Sequence, residues 1–98
     1  MIEYSRRAGA QVDGLLDHYA KKNRPEAIIN LKTALQEAEA AIQENPGVGK
    51  PAPRPYPALF RSGRLWLKSG RYWIAWRRRP LLKIVAVLYD EADIPSRV

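Results

Sequence analysis

The chain is expected to form a small α+β fold of order β-α-α-β-β-β, with a helical hairpin packed on one face of a small antiparallel sheet. Two features of the sequence point there: apolar residues recur at helical spacing from about residue 8 to 44, then at strand spacing from about 60 to 89. A stretch at 46–57 holding five of the eight prolines separates the two regimes, and no helix can cross it. At 98 residues the chain has room for one domain and one core.

Ile2-Glu3-Tyr4 alternates apolar and polar residues and is only long enough for a short edge strand, and Ser5 behind it is a suitable helix N-cap. From Ala8, the residues Val12, Leu15, Leu16, Tyr19 and Ala20 fall on one helical stripe that ends near Asn23. Pro25 suits the first turn of a second helix, where its missing N–H costs nothing, and Glu26 complements the helix dipole. Ile28, Leu31, Leu35, Ala38 and Ile42 then repeat at three and four until Asn45-Pro46. The short link through Asn23 and Arg24 makes the helices an antiparallel pair.

Beyond the prolines, Leu65 and Leu67 alternate with Arg64, Trp66 and Lys68, predicting a strand over about 60–68 that turns at Ser69-Gly70. Tyr72, Ile74 and Trp76 alternate with Trp73 and Ala75 in the next strand, which ends at Arg77-Arg78-Arg79-Pro80. The run from Leu81 to Tyr89, interrupted only by Lys83, has apolar side chains for both faces and reads as a central strand.

Charge divides the chain. Residues 1–49 hold six Lys/Arg against seven Asp/Glu, whereas residues 50–98 hold eleven against three, giving the net +7. From Lys50 to Tyr89 there are ten positive charges and no negative one, interleaved with Tyr56, Phe60, Trp66, Tyr72, Trp73 and Trp76. Such a segment fits a polyanion or an acidic protein as partner, and also fits a solvated face kept soluble by charge.

The residue inventory excludes several chemistries. There is no cysteine, so disulfides, thiolate zinc sites and a cysteine nucleophile are out, and His18 alone with Asp17 is a poor metal cage. Gly47-Val48-Gly49-Lys50 follows a helix and lacks Walker spacing, and no serine sits on a nucleophile elbow. No cofactor and no metal are expected. With no run of 18 apolar residues and no apolar segment behind the acidic Glu3, neither a membrane span nor a signal peptide is visible, and a soluble cytoplasmic protein is expected. One enzymatic chemistry remains open, metal-independent RNA cleavage, in which the 2′-hydroxyl attacks, cations stabilise the phosphate and a tyrosine or histidine moves protons. Arg64, Lys68, Arg71 and Tyr89 are the available parts; equally, they are the outward face of a half-exposed sheet.

The segment Ala8 to Tyr19, the stop Asn45-Pro46-Gly47-Val48-Gly49, the strand Gly70-Arg71-Tyr72-Trp73-Ile74-Ala75-Trp76 and the closing Ile84-Val85-Ala86-Val87-Leu88-Tyr89 together resemble the RelE/ParE superfamily of toxins from bacterial type II toxin–antitoxin systems. The resemblance spans nearly the whole chain, though no single motif is specific. It implies the same β-α-α-β-β-β fold, a neutralising antitoxin and a target that is either the translating ribosome (RelE-like) or DNA gyrase (ParE-like). RelE-like nucleases carry a basic residue directly after the aromatic of the third strand; here Tyr72 is followed by Trp73. Arg64 matches a second-strand basic position, but the next outward position is Trp66, and the last strand runs into Tyr89, Asp90, Glu91 and Ala92 where the family places an arginine. Acids beside an RNA phosphate repel it.

The resemblance therefore implies a ParE-like toxin that inhibits DNA gyrase by binding, with no catalytic residues, in a plasmid-stabilisation role, held by a ParD-like antitoxin in a hetero-oligomer. The alternatives are a RelE-like ribosome-dependent mRNA endonuclease using Arg64, Lys68, Arg71 and Tyr89, and a family member that binds antitoxin but is no longer toxic. The antitoxin is expected to bring an acidic and apolar segment to a groove lined by the sheet and the helices. Arg61, Arg64, Trp66, Lys68, Arg71, Trp73, Arg77 and Tyr89 are the residues expected to bind antitoxin or target, with Trp66, Trp73 or Trp76 exposed as anchors.

Overall fold

The computed structural model describes residues 2–52 and 59–90. Its elements are β1 (Glu3–Tyr4), α1 (Arg6–Lys21), α2 (Pro25–Glu44), β2 (Arg64–Ser69), β3 (Tyr72–Arg77) and β4 (Lys83–Tyr89). Ser5 caps α1 as expected, its Oγ accepting from the Ala8 N–H at 3.1 Å, so the helix starts two residues before the apolar stripe does. The helix stops in a Schellman turn. Asn23 adopts a left-handed φ of 53°, the Arg24 N–H donates to the Tyr19 carbonyl at 2.9 Å and the Asn23 N–H to that of Ala20 at 3.1 Å. Pro25 then opens α2 at once, leaving a hairpin with almost no loop.

The strand order is β1-β4-β3-β2, with β2, β3 and β4 antiparallel in sequence and β1 parallel to β4. The sheet is thus mixed, a correction to the wholly antiparallel sheet expected. The cause is the exit from β1. The Ser5 N–H donates to the Ile84 carbonyl at 2.8 Å, and α1 then runs on along β4, where the Gln11 side chain accepts from the Val87 N–H at 2.8 Å. With only Ser5 between them, β1 and α1 have no room to reverse direction, so β1 points the way that α1 and β4 point. Gln11 also pairs an N–H that two-residue β1 is too short to reach.

β4 is central, as its two-sided apolar run predicts, and both faces of the sheet are buried. On the helix side Tyr72, Ile74, Trp76, Ile84 and Val87 pack with Leu31, Ala34, Ala38 and Ile42 of α2. On the other side Trp66, Ala75, Val85, Ala86 and Leu88 form a second cluster under Leu59, with Trp73 at its border. The register slips between Ala75 and Trp76, so that Ala75 faces Ala86 and Trp76 faces Ile84. Val85 is the extra residue of this bulge, which lets Val85 and Ala86 lie on one face and Ile84 and Val87 on the other.

The chain leaving α2 acts as a strap on the β2 edge. The Trp76 indole N–H donates to the Pro46 carbonyl at 3.0 Å, and Lys50 forms an isolated antiparallel bridge with Trp66. Gly49 lies between them at φ 100°, where a Cβ would stand 2.5 Å from the Trp76 ring and 2.6 Å from the Trp66 carbonyl oxygen. The glycine is required both for its backbone angle and for that approach. Strand β2 begins at Arg64, four residues after the expected start, because Gly63 turns with φ 77°. The prolines at 53, 55 and 57 of the expected connection lie outside the described residues.

Trp66 and Trp76 are 1% and 0% exposed, yet the Trp66 indole N–H has no hydrogen-bond partner among the described residues. Replacement by phenylalanine removes similar volume from both sites but breaks a hydrogen bond only at Trp76. Trp76→Phe is therefore expected to destabilise by about 1 kcal/mol more than Trp66→Phe in urea unfolding, and an equal loss of stability would show that the hydrogen bond to Pro46 contributes nothing.

Candidate functional site

The strands bring the candidate residues to two opposite ends of the sheet. At one end, Ser69 pairs with Tyr72 and Tyr72 with Tyr89, so the two-residue hairpin loop Gly70-Arg71 projects beside the end of β4. Only Gly70 has a positive φ there, 58°, the first-position geometry of a tight hairpin. At the other end, Arg64 pairs with Arg77 and Arg77 with Lys83. Lys68 and Arg64 are four residues apart on β2, roughly 13 Å along the strand. The set Arg64, Lys68, Arg71 and Tyr89 therefore does not converge: Arg64 is at one end and the other three are at the opposite end.

Where Lys68, Arg71 and Tyr89 meet, Asp90 stands among them. Its carboxylate is 3.0 Å from the Lys68 ammonium and 3.9 Å from the Arg71 guanidinium, and its backbone N–H donates to the Arg71 carbonyl at 2.9 Å. The Arg71 guanidinium carbon also lies 5.7 Å from the centre of the Tyr89 ring, within cation–π range. Both cations are more than 40% exposed, so these pairs contribute little stability. Their effect is on charge: one carboxylate offsets part of the positive charge that a phosphate would seek.

Above this corner an open cleft runs between the turn of the helical hairpin and the end of the sheet. Arg71, Tyr72 and Tyr89 line it from the sheet, and Leu15, His18 and Arg24 from the helices. Tyr72 is fixed from behind. Its hydroxyl is 2.6 Å from that of Tyr19, and its ring is tilted on Tyr89 at 5.7 Å. Burial first, then the hydrogen bond and proximity of Tyr19, push the Tyr72 phenol well above its ordinary range, so it stays protonated at neutral pH and is not a general base. The cleft joins aromatic walls to a cationic rim, which suits a segment that is both apolar and acidic.

Trp66 is buried, which corrects its expected role as an exposed contact, and Trp76 is buried likewise. Alternation along β2 puts Trp66 on the face opposite the helices; the second hydrophobic cluster there takes it out of solvent. Half-buried Trp73, on the same face, is the indole left accessible. Arg61 is exposed in the turn before β2, where its guanidinium donates to the Phe60 carbonyl at 2.8 Å. Two participants are not evident in the sequence. Asp90, a repulsive neighbour to RNA by its charge alone, becomes a counter-ion through the strand register; His18, an exposed helix residue, also lines the cleft. Glu91 and Ala92 lie outside the described residues. No helix among the described residues is long and apolar enough to cross a membrane.

No protein-family model matches this chain, and no curated protein matches it. Among solved structures, it is similar to a chain of the chromosomal ParDE TA system from P. aeruginosa, with a TM-score of 0.68 at 21% identity over 92% of this chain and 95% of that one. The two chains share a fold.

If Asp90 screens Lys68 and Arg71, Asp90→Asn will elute from heparin at higher salt than Asp17→Asn, which removes the same charge from an exposed position on α1. Stability should change by no more than about 1 kcal/mol. Equal elution of the two variants would mean that the cations are not masked.

Proposed function

We propose that this chain is the toxin of a type II toxin–antitoxin pair, ParE-like, which inhibits DNA gyrase by binding it and is neutralised by a ParD-like antitoxin. The observation that carries this reading is the fold shared with a chain of a ParDE system over 92% of the length. The choice of a binding mechanism over RNA cleavage is supported by the site. Phosphoryl transfer to a 2′-hydroxyl needs cations and proton carriers converging on one phosphate. Here Arg64 is remote from Arg71 and Tyr89, the residue after Tyr72 is the apolar Trp73, and Asp90 occupies the place between Lys68 and Arg71.

The cleft between the hairpin turn and the sheet end is the seat for the antitoxin. An acidic, apolar segment gains charge complementarity from Arg71 and Arg24 and burial against Leu15, Tyr72 and Tyr89. Attraction of an acidic segment to so basic a protein speeds the encounter and makes it salt-sensitive.

Controlled expression in bacteria, read by a DNA-damage reporter and by pulse-labelling of new protein, tests the target. Filamentation and reporter induction with translation continuing is the expected outcome. Early loss of translation without DNA damage would transfer the assignment to mRNA cleavage, and unaffected growth would make the chain a non-toxic antitoxin binder. For the cleft, Arg71→Ala with Arg24→Ala should weaken antitoxin binding at least tenfold while far-UV circular dichroism is unchanged. Undiminished affinity in the folded variant would remove this end of the sheet from the interface.

A further inference from the structure

The end of the sheet away from the cleft carries a feature that antitoxin binding at the cleft does not use. Arg64, Arg77 and Lys83 are direct cross-strand partners on β2, β3 and β4. Trp76 and Ile84 point to the helices, so their neighbours Arg77 and Lys83 point the other way, on the face that also carries Arg64. Strands lie about 4.8 Å apart, so three cations stand in a row spanning about 10 Å. Arg61, Arg78 and Arg79 rim a shallow depression beside Arg64, together with Phe60. Like charges directly opposite one another destabilise a sheet. Arg64, Arg77 and Lys83 nevertheless form no ion pair among the described residues, and the carboxylate in register with them, Glu3, stands at the far end of the row beside Lys83. Arg64 shows the strain. Its guanidinium is held below its ordinary pKa, by burial first and then by the charges of Arg61, Arg7 and Arg77.

We propose that this row, Arg64, Arg77 and Lys83 with Arg61, Arg78 and Arg79 at its rim, is a binding site for the phosphodiester backbone of duplex DNA. Three features select that ligand. First, arginine predominates, and its planar fork pairs two oxygens of one phosphate. Second, the cores of protein–protein interfaces are depleted of charge, whereas DNA-binding surfaces are polar and strongly positive, and here six cations surround one exposed aromatic, Phe60. Third, single strands are held by stacking successive bases on several aromatic platforms, but Trp66 and Trp76, the indoles nearest the row, are buried, and Phe60 is one ring alone. A duplex presents a phosphate charge every ~1.7 Å of its axis, enough to meet every cation of the row without any base contact. The site is separate from the cleft and stands whether or not gyrase is the target.

The test is fluorescence anisotropy with a labelled 20-base-pair duplex and the full chain over a series of KCl concentrations. Arg64→Ala with Arg77→Ala is expected to weaken binding at least tenfold at low salt and to flatten the log–log salt dependence by roughly two units, about 0.9 for each phosphate no longer neutralised. Lys21→Ala with Lys22→Ala removes equal charge from exposed positions at the opposite end and should change affinity less than twofold. Should the double variant fail to fold, Arg77→Ala alone, at an exposed position, carries the same prediction at about threefold. Equal weakening by both pairs would reduce the effect to net charge and overturn the site. Tighter, row-dependent binding of single-stranded RNA, or equal competition by polyglutamate, would overturn the choice of duplex DNA.

Discussion

The structure depends on burying both faces of a four-stranded sheet with a chain of 98 residues. Two helices suffice for one face; the other closes over Trp66, Val85 and Leu88 with Leu59. Strands β3 and β4 must then supply apolar side chains in both directions, and five consecutive residues of β4, from Ile84 to Leu88, are buried. The bulge at Val85 interrupts the alternation, so that Val85 and Ala86 both enter the second core while Ile84 and Val87 enter the first. The close approach of the α2 exit, with glycine forced at position 49 and a hydrogen bond from Trp76 to Pro46, seals the β2 edge.

Because packing uses both faces, polar chemistry is confined to the ends of the strands. The two ends are not alike. The end at Tyr72 and Tyr89 has a cleft, an aromatic wall and cations moderated by Asp90, and it fits a partner that brings both apolar and acidic groups. The end at Arg64, Arg77 and Lys83 has a row of cations with two exposed apolar side chains nearby, Phe60 and Leu81, but among the described residues no cleft like that at the Tyr72 end to bury a partner's apolar groups, and it fits a polyanion. Ligands at the two ends would bind as separate events, since about 13 Å of strand lies between Arg64 and Lys68 and exposed charges at that separation are largely screened at physiological salt.

The helices and the order of elements are legible because helical and strand periods differ and prolines mark the change. Ser5, Asn23 and Pro25 act in the structure as their chemistry suggests. What is not legible follows from long-range pairing. A two-residue strand has no sequence signal for direction, and β1 is parallel to β4 because of where α1 must run. Alternation does not decide which tryptophan faces outward, nor that both faces are covered; hence Trp66 is expected as an exposed contact and lies inside. The role of Asp90 is hidden for the same reason. It lies 22 positions from Lys68, and only the Ser69–Tyr72–Tyr89 register brings them within 3.0 Å. The likeness to the ParDE chain is one of fold, so the residues of this site follow from its own geometry.

The most direct measurement is a supercoiling assay with purified gyrase and the purified chain, run beside a translation reaction programmed with a defined mRNA. Binding without chemistry predicts loss of supercoiling and accumulation of gyrase-cleaved DNA, both reversed by the antitoxin, and a message that stays intact throughout. Cleavage of the message on ribosomes with supercoiling unaffected would contradict the account and return Arg71 and Tyr89 to a catalytic role.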